Sequence, residues 1–122
     1  MAKLLFGNIA KYKKNCYNIY STNGVNMEPF DRQQLDKQVL FFKALSHPTR
    51  LWIVRQLREK EHCVHELVER IGDDFSTVSK HLALLKNAHI VEDRKKRTTV
   101  YYHLAHPCIL SVLECVEETA GE

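Results

Sequence analysis

Residues 61–66 read EHCVHE and place one thiol, two imidazoles and two carboxylates within six positions. Cys63 with His65 is a donor pair of the kind that holds a thiophilic metal ion, or alternatively a reactive thiol. A helix that starts at Cys63 leaves unpaired N–H groups beside the sulfur and favours the thiolate. Thiolate with imidazole suits Zn(II), Cd(II) or Pb(II), whereas arsenite prefers three thiolates. Two donors do not complete a coordination sphere; His62, Glu61 and Glu66 are the nearest further candidates. The plainer alternative is the polar start of an ordinary helix whose side chains bind nothing.

The remaining cysteines are Cys16, Cys108 and Cys115. Their spacing matches no zinc-finger pattern, and in a cytoplasmic chain such cysteines are free thiols, ligands or redox groups before they are a disulfide scaffold. Cys115 follows Cys108 by seven residues, two helical turns or about 10 Å along one face, so one chain cannot pinch an ion between them. An antiparallel twofold pairing would bring Cys108 of one subunit near Cys115 of the other. Otherwise both are small apolar residues in a dimer seam.

These groups sit on a chain of 122 residues with 44% hydrophobic and 27% charged residues, enough for one globular core. No apolar run reaches the roughly 20 residues of a membrane span, and the first residues do not read as a secretory signal. The net charge of +3 is uneven. Residues 1–26 carry four lysines and no acid, whereas everything after Arg97 lacks Lys and Arg but holds Glu114, Glu117, Glu118 and Glu122. The expected organisation is a flexible basic arm over 1–30, a folded domain over 31–118 and a tail over 119–122. Met27 offers an alternative start that would make 1–26 an upstream extension.

From Asp31 the pattern is helical: Leu35, Val39, Phe42 and Leu45 form one apolar stripe. Ser46 or His47 caps a second helix with Pro48 at its first position, and Leu51, Ile53, Val54 and Leu57 give its buried face. A third helix is predicted over Cys63–Ile71, then a Gly72-Asp73 turn, then a fourth capped by Asp74 and running to Asn87. IVEDRK and TTVYYHL flank a basic turn and read as a hairpin. A last helix begins near Pro107. The order is ααααββα, mainly α with a β-hairpin.

Two helices joined by a tight turn and followed by a basic hairpin are the winged helix-turn-helix arrangement, whose second helix enters the major groove of double-stranded DNA. Ser76, Thr77, Ser79, Lys80 and His81 are the candidate readers on that helix. Arg94, Lys95, Lys96 and Arg97 are candidate phosphate contacts of the wing, which would make binding salt-dependent.

The segments FKALSHPTRLWIVRQL, CVHELVERIG and FSTVSKHLALLKNAHIVEDRKKRTTVYYHL resemble the ArsR/SmtB family of winged-helix repressors over roughly residues 38–116. The resemblance implies a homodimer built on the first and last helices, bound to a palindromic operator and released by an inducer. It also implies a sensing place at Cys63, where thiol-rich members carry Cys-Val-Cys and this chain has His65 as the third residue. In some relatives an arm cysteine completes such a site, a role that would fall to Cys16. Others place ligands on the last helix; the matching positions here are His106, Cys108, Thr119 and Glu122, of which Thr119 is a poor ligand. Three positions depart from the pattern: Phe75 stands where a polar residue is usual, His89 stands where Gly is, and the wing lacks its glycine.

The expected function is a DNA-binding repressor that releases its operator on binding a metal ion (Zn, Cd or Pb) or arsenite, with no cofactor required for the fold. The alternatives are a thiol-based redox or reactive-sulfur sensor of the same fold, and a winged-helix protein-interaction module without an inducer. No phosphate loop, nucleophile elbow or triad suggests an enzyme, and no membrane partner is expected.

Overall fold

The computed structural model describes residues 29–120. Residues 31–120 form one compact unit of eight elements: α1 (Arg32–Leu45), α2 (Pro48–Gln56), β1 (His62–Cys63), α3 (Val64–Ile71), α4 (Phe75–Asn87), β2 (Val91–Lys96), β3 (Thr99–Leu104) and α5 (Ile109–Ala120). The expected winged helix-turn-helix is present. Cys16 and Glu122 lie outside the described residues.

Local chemistry sets the helix boundaries. Asp31 starts α1 by accepting from the Gln33 and Gln34 amides at 3.0 and 3.2 Å. His47 starts α2 by accepting from the Thr49 amide at Nδ1, with Pro48 at the first helical position. Gly72 ends α3 in the left-handed region at φ 82°. Residues 72–74 turn the chain into α4, where the Asp74 carboxylate takes up the Thr77 amide at 3.2 Å.

Two left-handed positions are filled by residues other than glycine, His89 at φ 59° and Arg97 at φ 57°. After α4 the His89 amide donates to the Lys86 carbonyl and the Ile90 amide to the Leu85 carbonyl, both at 3.0 Å. That pair of bonds is the Schellman closure. Leu85 and Ile90 are both in the core, 0% and 2% exposed, so their burial holds His89 in the strained conformation. Arg97 is the first residue of the two-residue connection between β2 and β3, where a hairpin turn matching the strand twist requires positive φ.

The core is built where the helical stripes meet. Ile53, Val54, Leu67, Val78, Leu82 and Leu85 are fully buried, and Ile90, Val91, Leu104 and Ile109 extend the cluster to the sheet and α5.

Three features differ from the sequence expectation. A strand, β1, precedes α3 and pairs with β3, His62 opposite Tyr102 and Cys63 opposite Tyr101. The sheet is therefore three-stranded, ordered β1-β3-β2, and α3 begins at Val64 with Cys63 at its N-cap. Two residues give no period by which a strand can be read from sequence. The α1 stripe mostly faces outward: Leu35, Val39 and Phe42 are 39–60% exposed, as is Leu40 beside them, and only Ala44 and Leu45 of this helix are buried. The last helix starts at Ile109, after a turn in which the His106, Pro107 and Cys108 carbonyls accept from the amides three residues on, each at 3.1 Å.

Candidate nucleic-acid interface and thiol cluster

At the start of α4, Thr77 is committed to its own helix, because its hydroxyl as well as its amide donates to Asp74. These bonds, the hydroxyl first, hold the Asp74 carboxyl below its ordinary range. Ser76 and Lys80 are exposed and Ser79 is half-buried. Phe75 is 49% exposed, its ring 5.2 Å from that of His65; it does not turn into the core.

His81 is half-buried and turned toward the rest of the domain. Its Nδ1 lies 3.2 Å from Arg50 Nη1, and its ring centroid is 4.6 Å from that of His47. A guanidinium only donates, so His81 Nδ1 accepts and carries no proton. Burial first, then the positive charges of His47 and Arg50, push the His81 pKa down, with Asp73 opposing. The same Arg50 donates to the Ala44 and Lys43 carbonyls at the end of α1. Arg50 thereby joins the first helix to the recognition helix, a role no sequence signal indicated because its partners are 6, 7 and 31 residues away.

The wing's basic run is not one uniform patch. Glu61, which leads into β1, accepts from Arg94 Nη2 at 3.0 Å and from Lys96 Nζ. These two hydrogen bonds, Lys96 first, lower the Glu61 pKa. Lys96 also lies 5.4 Å from the centre of the Tyr101 ring. Asp93 accepts from Lys86 of α4 at 2.9 Å, fixing the wing to the recognition helix. Lys95 and Arg97 are exposed and have no acidic partner among the described residues.

The EHCVHE residues separate into different surroundings. His62 is 3% exposed, with Nδ1 2.6 Å from Glu66 Oε2. An ionised carboxylate only accepts, so Nδ1 carries the hydrogen. The Glu66 carboxyl is held below its usual range by the His62 imidazole first, with a lesser lowering from the nearby Cys63 thiol. Cys63 itself is 9% exposed and free of any disulfide. His65 is exposed on the Phe75 side, and Glu61 is taken by the wing. Cys63 and His65 are thus not brought together with a third donor.

His106 and Cys108, in the turn before the last helix, and Cys115 on that helix are exposed. The Thr119 hydroxyl donates back to the Cys115 and Val116 carbonyls at 3.2 and 2.9 Å. Among the described residues no three His, Cys, Asp or Glu side chains form a group able to hold a metal ion, and no helix is long and apolar enough to cross a membrane. Arg55 of α2 pairs with Glu117 and Arg58, just beyond α2, reaches Glu114 at 3.5 Å, so the last helix is tied by charge to the end of α2 and the turn after it.

Residues 47–93 match the family described as "Bacterial regulatory protein, arsR family". The chain is 41% identical over 95 residues to the HTH-type transcriptional repressor SmtB of Mycobacterium tuberculosis, covering 77% of this chain and 70% of that protein. A homodimeric winged helix-turn-helix DNA-binding domain from Mycobacterium bovis superposes with a TM-score of 0.70 at 27% identity, covering 81% of this chain and 92% of the other. The transcriptional repressor BigR from Xylella fastidiosa superposes with a TM-score of 0.60 at 30% identity, covering 74% and 96%. With the helix-turn-helix, the wing and this level of identity together, the chain belongs to the ArsR family of winged-helix transcriptional regulators.

Proposed function

We propose that the protein is a transcriptional repressor that binds double-stranded operator DNA as a homodimer and lets go when an inducer engages Cys63. The observation that carries this reading is the position of Cys63. It is the last residue of β1, which is bonded to the wing strand, and the N-cap of α3, which packs under the recognition helix. A change at that sulfur has a route to the wing through hydrogen-bonded backbone and to the recognition helix through the packing of α3. Ser76, Ser79 and Lys80 are the groups offered to the major groove, and the wing lies against phosphates. The outward apolar faces of α1 and of α5, where Val112 and Val116 are 44% and 56% exposed, support a dimer on the first and last helices.

The described donors do not by themselves fit a metal ion, and no coordination is assigned to them. A thiophilic inducer at Cys63, such as Zn(II), Cd(II), Pb(II) or arsenite, needs further donors from outside the described residues, with Cys16 the first candidate. A thiol-directed oxidant is the other chemistry open to the same sulfur. The test is a mobility-shift assay of the full chain on its own promoter DNA against these ions, arsenite and an oxidant, repeated with Cys63→Ser and Cys16→Ser. Cys63→Ser is expected to bind DNA as the parent does and to ignore the inducer. Release of that variant by the same inducer would remove Cys63 from the mechanism.

A further inference from the structure

The four wing cations were one basic run in the sequence, but the strand divides them. Successive residues of β2 point to opposite faces of the sheet, so Arg94 and Lys96 share one face and Lys95 takes the other. Register puts Arg94 opposite Tyr101 and Lys96 opposite Thr99, and Cys63 is likewise opposite Tyr101. The chain end entering β1 therefore runs beside that same face and brings Glu61 against both cations. Lys95 shares its face with Asp93, which reaches Lys86 on α4. That is the side of the sheet turned toward the recognition helix. Arg97 stands at the hairpin tip.

We propose that Glu61 withholds Arg94 and Lys96 from DNA, so that the wing meets phosphates through Lys95 and Arg97 alone. This rests on the DNA-binding reading above and deepens it. The Glu61 side chain is only 21% exposed, whereas those of Arg94 and Lys96 are 60% and 50% exposed. The carboxylate is enclosed while the cations around it are long and exposed. It stands where a phosphate would, and occupying two of the four cations with one carboxylate lowers the number of DNA counterions the wing can displace. Glu61 acts through the wing cations and is a positioning residue, setting how strongly sequence-independent attraction contributes against base reading by α4.

The test is fluorescence anisotropy with a labelled random-sequence 30-base-pair duplex, titrated at several salt concentrations. For the parent chain log K falls linearly with log salt. Lys95→Gln is expected to make that slope shallower by about 0.9, the value of one phosphate contact. Lys96→Gln and Arg94→Gln are expected to leave it unchanged. Glu61→Gln is expected to steepen it by up to about 1.8, as two cations are freed, and combining it with Lys96→Gln should halve that gain. A slope that becomes shallower in Lys96→Gln as much as in Lys95→Gln, or stays at the parental value in Glu61→Gln, overturns the proposal. Circular dichroism confirms that each variant is folded. Absence of any duplex binding by the parent chain would instead overturn the DNA-binding reading on which the proposal rests.

Discussion

The imidazoles of His47 and His81 lie 4.6 Å apart, centroid to centroid, and each uses Nδ1 as an acceptor, from the Thr49 amide and from Arg50. One begins α2 and the other belongs to the recognition helix. Both rings must be unprotonated at Nδ1 for this junction to exist.

Stability should consequently fall in mild acid. The folded-state pKa of His81 lies below its ordinary 6.5, so the unfolded chain takes up the proton first. The His81 contribution is complete above about pH 6.5 and is lost as pH drops from there through the lowered folded value. Melting temperatures measured between pH 7.5 and 5 should decline, and His81→Gln should flatten that decline. An equal slope in the variant would assign the pH dependence to other groups.

Lys80 is exposed on the recognition helix, and Lys80→Ala should weaken duplex binding. If Lys80 contacts phosphate, the loss is uniform across sequences and the salt slope falls by about 1; if it contacts a base, specificity relaxes at one operator position. Anisotropy against an operator and a scrambled duplex separates these outcomes.

His89→Gly should stabilise the protein by about 1 kcal/mol, because glycine takes the left-handed conformation without the Cβ strain that His89 bears. Gly72→Ala should cost a similar amount, since alanine at φ 82° meets that same strain. Urea denaturation at constant m-value reads both.

Phe42→Glu on α1 or Val116→Glu on α5 puts a charge on an apolar face, at residues 60% and 56% exposed in the single chain. Either change should convert a dimer to a monomer in sedimentation velocity and reduce operator affinity, because two half-sites are then no longer held together. A monomeric parent chain would end the dimer reading.

Much of this was legible along the chain. Helical periodicity with Asp31, His47-Pro48, Gly72 and Asp74 as punctuation gave the helices within a residue or two, and β-branched and aromatic segments on either side of RKKR gave the wing. The two absent glycines were also readable as departures from the family pattern, at His89 and in the hairpin, and both places take positive φ. The site was less legible. The spacing of Cys63 and His65 suggested a pair, yet a strand ending at Cys63 keeps the thiol in the interior beside Glu66 while His65 faces out toward Phe75. His81 looked like an exposed DNA reader and is instead held by Arg50 and His47.

The sequence by itself determined which segments are helix, turn and wing, because caps, periodicity and turn conformations depend on residues a few positions apart. Only the tertiary structure decided what each charged or sulfur-bearing side chain faces. Glu61 meets Arg94 and Lys96 across 33 and 35 residues, and Arg50 meets His81 across 31. Such partners are chosen by strand register and helix packing, which bury apolar surface first and leave polar groups to satisfy one another where the backbone has put them.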